Sequence, residues 1–197
     1  AELELRKVVA ASPRWARARA ELGCVYVDQQ RRAAAIAQLR AAHRLDRELA
    51  AVWRCTGKLC RQGGDLEGAT HQLRRALELD PSDTRALFEL ALTLAQAGQL
   101  RAAGERARAL VLRRPRHAAG HFLRGYVLAR RKRSGAARRA LRRAIELRPG
   151  YPEAHLELGD LLCRQGRSAR ARRHYERFLA GAPAALGAQR ARVVQWM

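Results

Sequence analysis

Lysine is nearly missing from this chain. Of its 40 basic residues only Lys7, Lys58 and Lys132 are lysines, and the rest are arginine. Acidic residues number 18, which leaves a net charge of +22. Aromatics are only 5%, and glycine and proline are sparse. Ala, Leu and Arg dominate instead, a composition that suits helices. No apolar run reaches the roughly 18 residues that a membrane-spanning helix needs. The opening AELELRKVVAAS lacks the basic start, apolar run and small-residue cleavage site of a signal peptide, so a cytoplasmic chain is expected. Cys24, Cys55, Cys60 and Cys163 include no C-x₂-C pair, which argues against a zinc knuckle or a thioredoxin-like site. Cys55 and Cys60 stand five apart on one helix and point in different directions. Free thiols in a reducing compartment are therefore expected. There is no H-E-x-x-H, no Gly-rich phosphate loop and no G-x-S-x-G. Asp28, Asp46, Asp65, Asp80, Asp83 and Asp160 are dispersed and imply no carboxylate pair. Within this stretch no catalytic constellation and no cofactor is expected.

What is present is a repeat. In residues 50–83, Trp53, Gly57, Cys60, Ala69, Leu73, Ala76 and Pro81 follow the spacing W-x₃-G-x₂-C…A-x₃-L-x₂-A…P. This resembles a tetratricopeptide (TPR) repeat, two helices with a turn between them and a proline stop. The same 34-residue ruler fits four more times without a gap. Residues 16–49 place Leu22, Gly23, Tyr26, Ala35, Leu39 and Ala42 on it, with Arg47 in place of the closing proline. Residues 84–117 place Leu87, Leu90, Ala91, Leu94, Ala103 and Pro115. Residues 118–151 place Gly125, Leu128, Ala137, Leu141, Ala144 and Pro149. Residues 152–185 place Leu158, Gly159, Leu162, Ala171, Tyr175 and Pro183, with Phe178 where a small residue is usual. Residues 1–15 read as the second helix of a preceding repeat, with Ala1 on its small position and Pro13 on its proline. The stretch is thus expected to be a fragment of a longer array, or to lack an upstream helix. Residues 186–197 read as a capping helix.

The small residue at the eighth position lets the second helix (B) approach the first (A), and the alanine at the twentieth is the expected matching surface. Gly64, Gly98 and Gly166 mark the turn inside a repeat. The constant period separates this pattern from HEAT and armadillo repeats, whose periods are longer. Pentatricopeptide repeats usually run one residue longer, and their base-reading positions are not evident.

The resemblance implies an all-α, right-handed superhelical α-solenoid whose A helices line a concave groove. Its function would be a scaffold that holds a peptide or partner protein there. Positions 2, 5, 9, 12 and 13 of helix A share the groove face. Read on this ruler, Arg54, Lys58 and Arg61 form a basic stripe. Phe88, Leu92, Phe122 and Tyr126 form an apolar floor, with Arg85 and Arg130 beside it. A partner with an apolar anchor and acidic residues fits such a groove. The alternative is that Phe88 and Phe122 pack within the chain. The carboxylate clamp by which some family members hold a chaperone tail is disfavoured, because Arg54 and Lys58 are followed by Glu89, Ala119 and Leu123.

The densest charge, Arg131, Lys132, Arg133, Arg138, Arg139, Arg142 and Arg143, falls on the outer face. It reads either as a solvated surface written in arginine by coding bias, or as a site for phosphates, an acidic partner or anionic lipid. His117 and His121 are four apart, a metal-binding spacing. But His121 and His155 both occupy the position of Trp53, which favours packing. Two further functions stay open: a non-catalytic docking or regulatory module of a larger enzyme such as a glycosyl- or sulfotransferase, and a basic binder of nucleic acid or an anionic surface. Val193, Val194, Trp196 and Met197 offer an apolar end for self-association.

Overall fold

Strong helix formers fill the segments between the turn residues, and helices are what they form. The computed structural model describes residues 2–183 and 186–197. Ala1, read above as the small residue of a preceding helix, lies outside the described residues, as do Ala184 and Ala185 at the end of the fifth repeat. The chain divides into two units, Ala1–Gln99 and Leu100–Met197. The first holds α1 (Glu2–Ala11), α2 (Ala16–Asp28), α3 (Arg32–Leu45), α4 (Ala50–Gln62), α5 (Leu66–Leu79) and α6 (Thr84–Gln96). The second holds α7 (Leu100–Arg113), α8 (Ala118–Arg130), α9 (Ser134–Leu147), α10 (Pro152–Cys163), α11 (Ser168–Gly181) and α12 (Gly187–Trp196). Among the described residues there is no strand.

Each turn inside a repeat uses one device. Gly64, Gly98 and Gly166 take φ of 85°, 76° and 71°. The next residue's N–H closes back five residues: Asp65 to the Cys60 carbonyl at 3.0 Å, Gln99 to Leu94 at 2.8 Å, Arg167 to Leu162 at 3.0 Å. This is the Schellman closure of a helix end. Gln30 and Lys132 occupy the same point of their turns at φ 60° and 58°. A side chain in that left-handed region costs about 1–2 kcal/mol, so these two turns form because the flanking helices hold them.

Between the helices of a pair, the close approach is real. A Cβ built on Gly57 would stand 2.6 Å from Leu73 Cγ and 3.2 Å from the Ala69 carbonyl oxygen. The main surface facing the glycine is thus the leucine four residues beyond the alanine. Ala69 is itself fully buried.

Four of the closing turns are fastened by a side chain at the fourth position of the following segment, where 84–117 has Leu87 instead. Arg19 Nε donates to the Pro13 carbonyl at 2.6 Å, and Trp53 Nε1 to Arg47 at 2.9 Å. His121 Nε2 reaches the Pro115 carbonyl at 2.8 Å and His155 Nε2 the Pro149 carbonyl at 2.9 Å. A carbonyl only accepts, so both imidazoles carry their proton on Nε2. His117 acts differently. Its Nδ1 accepts the Gly120 N–H and caps α8.

Free thiols were expected throughout, and the structure corrects this for two of the four cysteines. Cys24 of α2 and Cys55 of α4 form a disulfide across neighbouring A helices, with Cα atoms 5.4 Å apart, within the span a disulfide requires. Cys60 and Cys163 are free.

In the second unit α12 packs on α11. Val193 is only 1% exposed. It belongs to the core of its own chain rather than to a surface for self-association, whereas Val194, Trp196 and Met197 remain exposed. Arg190 donates to the Leu179 and Ala182 carbonyls, and Arg192 pairs with Asp160 at 2.9 Å.

Candidate functional face of the A helices

In the first unit, α2, α4 and α6 present their polar side chains to one another. Lys58 of α4 pairs with Asp28 of α2, and its Nζ lies 3.7 Å from Glu89 of α6. Arg61 gives Glu89 Oε2 two N–H groups, at 3.1 and 2.9 Å. These contacts cross three successive A helices, so the groups share one face. The basic stripe is therefore not free charge waiting for an acid. Its cations are already matched by Asp28 and Glu89. The Arg61 and Glu89 side chains are only 13% and 11% exposed, so removing either partner leaves the other as an unmatched, largely buried charge.

Arg54 stands differently from its neighbours in that stripe. It is 8% exposed, and its Nε lies 3.0 Å from Asp83 Oδ2. That contact lacks hydrogen-bond geometry, and Nε has no other partner. Asp83 Oδ1 meanwhile accepts the Arg85 and Ala86 N–H groups at 2.8 and 3.0 Å, capping α6. Arg54 thus ties α4 to the cap of the next A helix, a structural role. Arg85 is exposed, and Phe88 and Leu92 are half-buried on α6.

In the second unit Phe122 is not a groove floor. It is 8% exposed, part of the core, and its ring lies 5.1 Å from that of Tyr151. The closing residue Tyr151 folds over it. Tyr126 stays half-buried, with the Arg130 guanidinium 4.5 Å above its ring, a cation–π contact. Burial pushes the Tyr126 hydroxyl above its ordinary range.

The arginine cluster lies on the α8–α9 turn and on α9. Lys132, Arg133, Arg139, Arg142 and Arg143 are exposed, and Arg131 and Arg138 are half-buried. Arg143 pairs with Glu146 at 3.0 Å. Residues 100–197 hold 24 of the 40 basic residues but only 6 of the 18 acidic ones, so the charge is strongly asymmetric.

Sequence reading missed His174. Its Nδ1 lies 3.0 Å from Nδ1 of the buried His155. Since His155 holds its proton on Nε2, His174 Nδ1–H is the donor. Burial first, then His155 and Arg142, lower the His174 pKa to about 4. His174 is thereby held neutral well below the ordinary histidine range. Among the described residues no group of three or more metal-ligating side chains exists.

Models of the tetratricopeptide repeat match residues 16–49, 57–98, 88–152 and 133–185. The chain belongs to the tetratricopeptide repeat family. No curated protein matches it. Among solved structures it resembles that of PilF of Pseudomonas aeruginosa, at 22% identity and a TM-score of 0.74 over 85% of this chain and 77% of that one. A thermophilic TPR protein of Thermus thermophilus matches at 21% identity and a TM-score of 0.79, over 91% and 97% of the two chains. YrrB, described as a TPR protein with an unusual peptide-binding site, matches at 17% identity and a TM-score of 0.62, over 98% and 99%. At such identities the likeness is one of fold. It agrees with an all-α TPR solenoid, and TPR proteins bind protein partners. Among the described residues no helix is long and apolar enough to cross a membrane.

Proposed function

We propose that this TPR protein is a non-catalytic interaction scaffold, and that a segment of its partner lies along the A-helix face of residues 1–99. One observation carries the reading. Side chains of α2, α4 and α6 on that face are already ordered by their mutual ion pairs. A partner laid over them does not have to immobilise them, and that saving favours binding. Phe88 and Leu92 supply the apolar contact, and the exposed Arg85 meets an acidic residue of the partner. The peptide-binding description of YrrB supports a peptide as the class of ligand. In the second unit Tyr126 and Arg130 offer a contact of the same kind.

The test is a pull-down with Arg85→Glu, Phe88→Ala and Leu92→Ala, each checked for helicity. Partners should be lost with helicity retained. Partners retained by all three variants would remove this face from the function. The charge asymmetry of residues 100–197 favours a second reading, attachment to an anionic surface or nucleic acid. Binding to a DNA duplex that falls steeply with salt would support it, and binding independent of salt would remove it. The Cys24–Cys55 disulfide supports an oxidising compartment over the cytoplasm.

A further inference from the structure

A cavity of about 540 Å³ opens in the first unit, lined by residues of α3, α4 and α5. Its volume lies in the range of ligand pockets. The buried Leu39, Val52 and Leu59 form its floor, and the half-buried Ile36 and Trp53 its walls. Trp53 is held in place by its bond to the Arg47 carbonyl and by His43, whose ring meets it edge-on at 5.4 Å. Gln72 of α5 also lines it. Arg32, Arg40 and Arg44 of α3 stand exposed at the rim. Among the described residues none of the three has a carboxylate at ion-pair distance. This contrasts with the A-helix face, where Lys58 and Arg61 are matched.

The repeats themselves mark this junction as different. One, two, three and four periods after His43 stand Leu77, Val111, Ile145 and Leu179, all aliphatic. Arg47 stands where Pro81, Pro115, Pro149 and Pro183 stand later. The cavity lies beside the one junction that departs on both counts.

We propose that this cleft binds an acidic amphipathic helix of a partner protein. Arg32 to Arg44 spans about 18 Å along α3 at the helical rise, so the cationic rim runs the length of the cleft. A single-headed apolar anion meets such a rim at one point. A helix with carboxylates on successive turns meets it throughout, while its apolar stripe fills the cavity over Trp53. The site is independent of the A-helix face, and Arg85→Glu leaves it unchanged.

The experiment selects from a phage library of random 16-residue peptides on the whole chain carrying Cys163→Ser. Enriched peptides should place apolar residues at i, i+3, i+4 and i+7 with Asp or Glu beside them. They should protect Cys60, which lines the cavity, from N-ethylmaleimide. They should lose at least about tenfold in affinity, a little over one kcal/mol, for Arg40→Glu/Arg44→Glu, and keep it for the double lysine variant. Both sites are exposed, and Arg40→Gln/Arg44→Gln serves should the reversal disturb the fold. Four results would overturn the proposal: no enrichment, basic or uncharged winners, binding indifferent to the reversal, or protection of Cys60 by oleate but by no peptide. Dimerisation abolished by Trp53→Ala would overturn it too, by making a second copy of the chain the occupant.

Discussion

Replacing Gly57 by alanine sets two effects of opposite sign against each other. The helix interior gains about 1 kcal/mol from the better helix former. The new methyl would stand 2.6 Å from Leu73 Cγ, 3.1 Å from its Cδ2 and 3.2 Å from the Ala69 carbonyl. Leu73 is fully buried, and a backbone oxygen moves only with its helix. Overpacking of this kind costs about 1–3 kcal/mol. The expected balance is a loss of about 1 kcal/mol, a fall in Tm of about 2–4 °C for a chain of this size. Gly104 provides the control. A Cβ there meets nothing nearer than Arg131 Nη1 at 3.5 Å, an ordinary contact, so Gly104→Ala should gain up to about 1 kcal/mol. The assay is thermal and urea unfolding by circular dichroism, with hydrogen exchange to assign each change to its unit, because repeat arrays need not unfold in one step. Gly57→Ala as stabilising as Gly104→Ala would refute the close-packing argument.

Lys132→Gly and Gln30→Gly should each raise stability by about 0.5–1 kcal/mol in urea unfolding. They relieve a left-handed side chain, partly offset by a more flexible unfolded chain. His174 makes the second unit sensitive to acid. The folded His174 pKa of about 4 lies below its ordinary 6.5, so the unfolded chain binds more protons between these values. Stability is full above about pH 6.5 and is lost as pH falls toward 4; melting against pH should show this, and His174→Gln should flatten it. Reduction of Cys24–Cys55, which closes a sequence separation of 31, should cost about 3–4 kcal/mol by chain entropy. Unfolding with and without dithiothreitol, with the mass of the intact chain, checks it.

The period made the helices, the turns at Gly64, Gly98 and Gly166, and the close approach at the glycines legible from single residues, though not that leucine is the main partner there. What it did not make legible lies between adjacent segments. Cys24 and Cys55 are 31 apart, three short of a period, because the ninth residue of one A helix meets the sixth of the next. The same offset brings Lys58 to Glu89. Reading each helix by itself sees a basic stripe and a spare cysteine, whereas reading neighbours together sees an ion-pair row and a disulfide. Phe122 misled for a related reason. Its position on the wheel faces the groove, but Tyr151, the last residue before α10, folds onto it. The cleft beside α3 was written in His43 and Arg47 as departures from the repeat, and only the aligned periods make those departures visible.

The most direct measurement of the proposed scaffold role is site-specific photo-crosslinking in cells. A benzophenone side chain is placed at position 85 or 92 on α6, or at the exposed Arg74 on the B helix α5 of the same unit. A partner seated on the A-helix face gives adducts from positions 85 and 92 and none from 74. Adducts from 74 alone, or equally from all three, would contradict it.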